Sequence, residues 1–153
     1  MSCYCGSGEL FEVCCQLRHL VHERADTAES LMRARYSAYV LGMTEFLNRT
    51  WLDGDGVESA ADLKVVNWCG LDIVSTRAGM KSDSEGWVEF KAYFIEHDRL
   101  FCLHENSHFV QNQGHWFYKE GELYRHEPKE LALNAECPCG SGKKYKRCCR
   151  RQL

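Results

Sequence analysis

Residues 87–118 read WVEFKAYFIEHDRLFCLHENSHFVQNQGHWFY. Apolar and polar residues alternate through Trp87–His97 and again through Leu100–Gln111, the period of half-buried strands. Asp98-Arg99 and Asn112–Gly114 interrupt them with turn chemistry, so adjacent strands pair as hairpins. Val88, Phe90, Ala92 and Phe94 share one face of the second strand. In the third, Leu100, Cys102, His104 and Asn106 oppose Phe101, Leu103 and Glu105. A preceding strand over Val65–Arg77, ended by the turn residues Gly79–Gly86, and a following one over His115–Tyr118 complete an antiparallel meander.

Upstream, residues 23–63 change period and read as helical. With Asp26 as cap and Glu29 as its partner, the apolar set Ala28, Leu31, Met32, Tyr36, Tyr39, Val40 and Met43 repeats every 3.6 residues. Arg33, Arg35 and Ser37 fall off that face, and both arginines read as a solvated helix edge. Gly42 stands at the end. A second helix runs from Thr44, as cap, through Glu45 to Trp51, which is placed against the sheet. Asp53-Gly54 and Asp55-Gly56 then break the chain. Helices followed by hairpin-linked strands give an α+β fold with the helices on one face of a curved sheet.

The chain has 153 residues, 44% apolar and 27% charged, with two prolines. That describes about one compact domain and excludes disordered and collagen-like classes. No run approaches 18 apolar residues, and the N-terminus lacks the basic, apolar, small-residue succession of a secretory leader. The expectation is a cytoplasmic protein without a membrane span. Ten cysteines in a reducing compartment point to metal ligation more than to disulfides. Cys3, Cys5, Cys14 and Cys15 lie at one end and Cys137, Cys139, Cys148 and Cys149 at the other. Cys69 and Cys102, between them, read as small buried apolar side chains.

The terminal clusters are an internal repeat. CYCGSGELFEVCC at 3–15 and CPCGSGKKYKRCC at 137–149 agree at seven of thirteen positions without a gap, all of them Cys, Gly or Ser. A Cys-x-Cys turn brings two sulfurs to one point, and Gly-Ser-Gly lets the backbone reverse sharply. The adjacent cysteine pair then returns on a short helix, Leu10–Gln16 in one copy and Lys144–Cys149 in the other, with Ser7 and Ser141 as N-caps. The expectation is two closed tetrahedral Zn²⁺ knuckles over residues 1–22 and 129–153, flanking a core over 23–128. Disulfides or free thiols are the alternative. Charge distinguishes the copies: residues 137–153 hold six Lys and Arg and no acid, whereas residues 1–136 carry a formal −9. Four thiolates around Zn²⁺ leave −2 per site, so the tail falls from +6 to +4 and the chain from −3 to −7. Glu9 and Glu12 replace the basic run in the first copy, so that site is expected to hold metal less tightly.

The pattern C-x-C-G-S-G-x5-C-C resembles the SEC-C zinc-binding motif. Pro138 and the Lys143, Lys144, Tyr145, Lys146 run match it in full, whereas Tyr4 and Glu9–Glu12 depart from it. LMRARYSAYVLG at 31–42, WVEFKAYF at 87–94 and HENSHFVQNQGHWFYKEG at 104–121 resemble the YchJ family of uncharacterised bacterial proteins. That resemblance implies SEC-C motifs around a nuclear-transport-factor-2-like, cystatin-like core, and it brings no established reaction.

The resulting expectation is a cytoplasmic interaction module with two structural zinc ions, docking through its basic C-terminal tail. Protein or ribosome is the preferred partner. Nucleic acid is less favoured, because the tail offers only Tyr145 for base stacking. The alternative class is a small-molecule-binding protein or enzyme that uses a pocket of the core. Its catalytic candidates are His104 and Glu105, although alternation puts His104 and His108 on one face and Glu105 and Ser107 on the other. Trp116, Phe117 and Tyr118 are assigned to the core, and His19 and His22 to the surface.

Overall fold

The computed structural model describes residues 1–53 and 66–152. Four long strands, β1 (Asn67–Ala78), β2 (Glu85–Glu96), β3 (Arg99–Asn112) and β4 (His115–Tyr124), pair antiparallel in chain order. A short β5 (Lys129–Glu130), absent from the sequence reading, pairs with Arg99 and Leu100, the end of β3 that β4 leaves uncovered. Register shifts fall at Trp68/Gly70 and Ile73/Ser75 in β1 and opposite His108/Phe109, where Lys119 of β4 is the extra residue. Such bulges bend and twist a sheet locally.

The helices are α1 (Cys15–Leu20), α2 (Ala28–Leu41) and α3 (Thr44–Arg49). The cap of α2 is Thr27, not Asp26. Thr27 Oγ1 accepts from the Ser30 amide at 3.0 Å, and Ser30 Oγ accepts from the Thr27 amide at 2.9 Å. Glu29 instead pairs with Arg33 at 2.9 Å, one turn along. Gly42, at φ 71°, closes the helix in the left-handed region. Thr44 does not cap α3: Met43 occupies the cap position, and Thr44 Oγ1 is buried with no hydrogen-bond partner among the described residues. The helical reading of 54–63 and the Gly54–Gly56 turn signals lie outside the described residues.

Helix α2 is covered on more than one side. Leu31, Met32 and Tyr36 are buried, and so are Ala34, Ser37 and Ala38. The small residues accept the N-terminal segment. Cys3 Sγ lies 3.9 Å from Ser37 Oγ, and the His19 ring reaches the Ala34 carbonyl at 2.7 Å. Arg35, expected at a solvated edge, is 6% exposed. It donates to the Leu47 carbonyl and Thr50 Oγ1 at 2.9 and 2.6 Å, joining α2 to α3.

On the sheet, Val88, Phe90 and Ala92 of β2 and Phe109 of β3 are buried toward α2, as alternation predicts. Phe94 is half-buried. Ile95, of opposite parity, is 1% exposed because another part of the chain covers the other face there. Trp51 meets the edge of the sheet through a bridge to Tyr118, with ring centroids 5.9 Å apart. No described helix is long and apolar enough to cross a membrane.

Candidate functional site

Both halves of the sequence repeat close into the same loop. The Cys3 amide donates to the Glu9 carbonyl and the Cys137 amide to the Lys143 carbonyl, each at 2.8 Å. The Gly6 amide then turns back to the Cys3 carbonyl and the Gly140 amide to the Cys137 carbonyl, each at 3.2 Å. Gly6 and Gly8, like Gly140 and Gly142, hold φ between 77° and 87°. That region carries little penalty only for glycine, which is why the Gly-Ser-Gly string recurs.

The serines between those glycines do not cap a helix. Ser7 Oγ accepts from the Glu9 amide at 3.2 Å and lies 3.3 Å from Cys14 Sγ; Ser141 Oγ accepts from the Lys143 amide at 3.2 Å and lies 3.2 Å from Cys148 Sγ. Each hydroxyl thus sits on a sulfur while closing a two-residue turn. The return segments are also not the single short helices expected, since each is interrupted at its first cysteine and resumes at the second, as α1 in one copy and over Cys149–Gln152 in the other. They open as 3-10 turns at Phe11–Val13 and Tyr145–Arg147 before the final cysteine pairs.

In each quartet all four sulfurs lie within 4.8 Å of one another. Four sulfurs 2.3 Å from a tetrahedral ion would stand about 3.8 Å apart. Cys5 and Cys14 are at 3.7 Å, and Cys139 and Cys148 at 3.5 Å. The donor set therefore fits one metal ion per quartet, with four protein ligands. Without metal, the Cys15 thiol hydrogen-bonds Cys5 and holds it far below the ordinary thiol range, at about 4; the same bond and burial push Cys15 up. At the other end burial raises Cys139, but the Ser141 hydroxyl and amide and the Cys148 thiol outweigh it and bring it to about 7. Burial and Cys137 push Cys149 up. Metal binding would expel the protons these raised thiols retain.

The surroundings of the quartets differ. Cys3, Cys5, Cys14 and Cys15 are between 0% and 5% exposed and belong to the main core. Arg18 donates to Cys14 Sγ at 3.6 Å, and Arg33 to the Cys5 carbonyl at 2.8 Å. These cations were not read from the spacing. They supply what the acids Glu9 and Glu12 were expected to deny, so the sequence basis for a weaker first site is offset. In the C-terminal quartet only Cys137 is buried. It packs with Tyr145, Ile95 and Leu100, and Tyr145 OH donates to Asp98 at the β2–β3 turn at 2.7 Å. Tyr145 and Arg150 hold Asp98 below its ordinary range. Cys69, isolated in sequence, is half-buried against this quartet, and burial pushes its thiol up to about 12. Cys102 is half-buried in β3. Lys143, Lys144, Arg147, Arg150 and Arg151 are exposed around the knuckle.

A cavity of about 380 Å³ opens between α2 and the sheet. Trp51, Trp68, Phe90 and Phe109 contribute aromatic walls, and Arg35, Glu105, Ser107 and Tyr118 its polar groups. Ser107 Oγ and Tyr118 OH, the latter at 3.0 Å, both donate to Glu105 Oε2. Burial and Glu105 push the Tyr118 phenol up, which keeps it a donor. A Cβ on Gly121 would overlap the Glu105 side chain, so this glycine makes room for the carboxylate. Glu105 is thus in the cavity and His104 is not. On the opposite face His104 contacts Glu89 at 2.7 Å and His126 at 2.8 Å. His108 pairs there with Glu85 at 2.8 Å.

Two further expectations are corrected. His19 is buried, and desolvation lowers its basicity; His22 is half-buried, with its ring 2.8 Å from the Trp116 carbonyl. Neither is a surface residue, because α1 folds back against α2 and the following 3-10 turn, His22–Arg24, brings His22 onto β4. Trp116 is buried as expected, whereas Phe117 packs on His22 and Tyr118 lines the cavity.

Comparison with known proteins agrees with this architecture. Residues 27–121 match the family described as "YchJ, middle NTF2-like domain", and residues 134–151 match the SEC-C motif. A UPF0225 protein of Vibrio vulnificus strain YJ016 is 37% identical, covering 97% of this chain and 98% of its own. One from Photorhabdus laumondii is 40% identical, covering 96% and 97%. A crystal structure of a SEC-C motif containing protein from Psychrobacter arcticus superposes with a TM-score of 0.66 at 32% identity, over 99% of this chain and 96% of that one. A solution structure of a SEC-C motif containing protein from Rhodopseudomonas palustris gives 0.69 at 29% identity, over 82% and 100%. With an NTF2-like sheet and helices between two cysteine quartets, and relatives alike along nearly their whole length, the chain belongs to the YchJ family of UPF0225 proteins.

Proposed function

We propose that both quartets hold Zn²⁺ and that the protein is a cytoplasmic interaction module whose basic C-terminal knuckle docks on an acidic protein or ribosomal surface. The observation that carries this reading is the five exposed cations on the knuckle whose sulfur quartet faces the sheet. All-thiolate coordination suits zinc and leaves no position for a reacting water, so the metal's work here is to hold shape. A rigid knuckle fixes its cations in one arrangement, which favours fast, oriented encounter with an acidic surface. Nucleic acid remains the lesser alternative.

The test is co-sedimentation of the intact zinc-loaded chain with ribosomes at stepped salt. It should be run beside a Lys143→Glu/Lys144→Glu/Arg147→Glu/Arg151→Glu variant, with zinc counted by native mass spectrometry. Salt-sensitive binding that the variant loses while keeping two zinc ions supports docking through the knuckle. Binding unchanged in the variant refutes it.

A second reading rests on a different observation, the cavity. It holds a carboxylate with an organised hydrogen-bond environment among aromatic walls, the form of a small-molecule site. Of the two residues first named for catalysis, only Glu105 takes part in this reading.

A further inference from the structure

The cavity's polar groups are tied in a way that restricts what it would bind. Arg35 is held by the protein: its Nη1 donates to the Leu47 carbonyl and Thr50 Oγ1, and its guanidinium lies 4.9 Å from the centre of the Tyr118 ring. It acts on the cavity as a fixed positive charge near Glu105. Glu105 is held through one oxygen. Both protein donors converge on Oε2, and Oε1 receives no hydrogen bond from the described residues. A carboxylate has about four acceptor positions, so Oε1 is an acceptor in want of a donor. On the wall, Trp68 Nε1 is buried and has no partner among the described residues. Buried polar atoms in native proteins are nearly always paired, so the unpartnered Trp68 Nε1 marks this wall as wanting an acceptor, while the half-buried Glu105 offers Oε1 to a donor; a hydroxyl or amine on an occupant can serve both.

Charge decides the occupant's class. Aromatic walls around a lone carboxylate would favour an ammonium. Here the Arg35 guanidinium already balances Glu105, so a cation would meet repulsion and an anion would meet Glu105. Either would enter an apolar space with its charge uncompensated. From these observations we infer that the cavity binds a neutral, planar molecule of one or two fused rings that bears an O–H or N–H donor. The donor is accepted by Glu105 Oε1, and the rings lie against Trp51, Trp68, Phe90 and Phe109. A volume of about 380 Å³ sits at the small end of ligand pockets and suits such a molecule. Ser107, Tyr118 and Gly121 are positioning residues, since they fix the carboxylate rather than touch the ligand's donor.

This inference rests on the pocket reading above, and its test separates the two. The probes are 2-naphthol, its methyl ether, 2-naphthoate and a naphthyl trimethylammonium salt. Each is titrated into the intact zinc-loaded chain by calorimetry and ligand-detected NMR. Binding of 2-naphthol about tenfold or more tighter than each of the other three is expected, because the ether loses the donor and the ions carry unbalanced charge. In Glu105→Leu the preference for naphthol over its ether should vanish, with zinc content and melting confirming the fold. Ether and naphthol binding alike in the wild type overturns the role of Glu105 and leaves the pocket reading standing. Tighter binding of either charged probe overturns the neutral class. No binding of any probe up to millimolar concentration overturns the pocket reading, and this inference with it.

Discussion

The two knuckles have the same backbone and opposite places in the molecule. The N-terminal one lies on the helix side, with its sulfurs in the core among α2 residues. The C-terminal one covers Ile95 and Leu100. Ile95 alternates away from Val88, Phe90 and Ala92 on a strand whose pairing with β3 is unbroken, so this knuckle sits on the other face of the sheet. At the position between the Gly-Ser-Gly turn and the cysteine pair, one carries Phe11, half-buried, and the other Tyr145, 0% exposed and anchored on Asp98. The four-cysteine loop is thus a fixed unit whose role depends on its other side chains. In one copy it completes the core, and in the other it presents a charged surface.

Loss of a ligand should separate the copies most strongly. On the zinc occupancy proposed above, Cys5→Ser would remove metal from a quartet buried in the core, and structural zinc contributes folding free energy outright. It should abolish cooperative thermal unfolding or soluble expression. Cys139→Ser should leave a cooperative melt with one zinc ion retained. Equal damage from both, read by circular dichroism and native mass spectrometry, would break the distinction between core and surface knuckle. The same asymmetry predicts that a chelator strips the half-exposed C-terminal ion first, the reverse of the order expected from Glu9 and Glu12.

Next in size are the matched aromatics. Tyr145→Ala empties a fully buried site and should cost about 3–5 kcal/mol of knuckle docking. Phe11→Ala, at a half-buried position packed on Tyr4 and His19, should cost about half that. Denaturant melts check both, and the reverse ranking would contradict the anchoring assigned to Tyr145. Smaller, and equal in the two copies, should be Gly8→Ala and Gly142→Ala. Their φ values are 87° and 82°, and no described atom lies within 4 Å of where a Cβ would stand, so only backbone strain of about 1–2 kcal/mol applies. Unequal costs would show that the loops are not the same unit.

The smallest expected effect is an acid response on the N-terminal side. Burial depresses His19, with Arg49 and Arg18 adding to it against the opposing hydrogen bond to Ala34. The unfolded chain then takes up the proton first, so the stability contributed by neutral His19 is full above about pH 6.5 and falls as pH drops below it. His19→Gln should flatten the melting temperature between about pH 7 and 5.5 with metal still bound. An unchanged slope would assign the acid response elsewhere.

Much of this was legible from residue order. The cysteine spacing announced both quartets, because a tetrahedral site tolerates few loop lengths. The alternation in β2 announced its buried face, because side chains on a strand reverse at every residue. Arg35 and His19 differ from their expected exposure because a helical period reports one apolar face against one solvent face, and α2 is covered on more than one side. The N-terminal segment covers it at Ala34 and Ser37, which buries His19. Burial of Arg35 also needed α3 to bring the Leu47 carbonyl and Thr50 hydroxyl to it, a meeting no periodicity encodes.

The sequence by itself determined local closure: where sulfurs gather, where glycine must turn, and where strands alternate. Only the tertiary structure decided which face of the sheet each knuckle covers and which groups share the cavity. The first depends on the terminal segments meeting Ser37 on one side and Ile95 on the other, the second on Arg35, Trp68, Glu105 and Tyr118 lining one cavity, and both join residues far apart in the chain through packing rather than spacing.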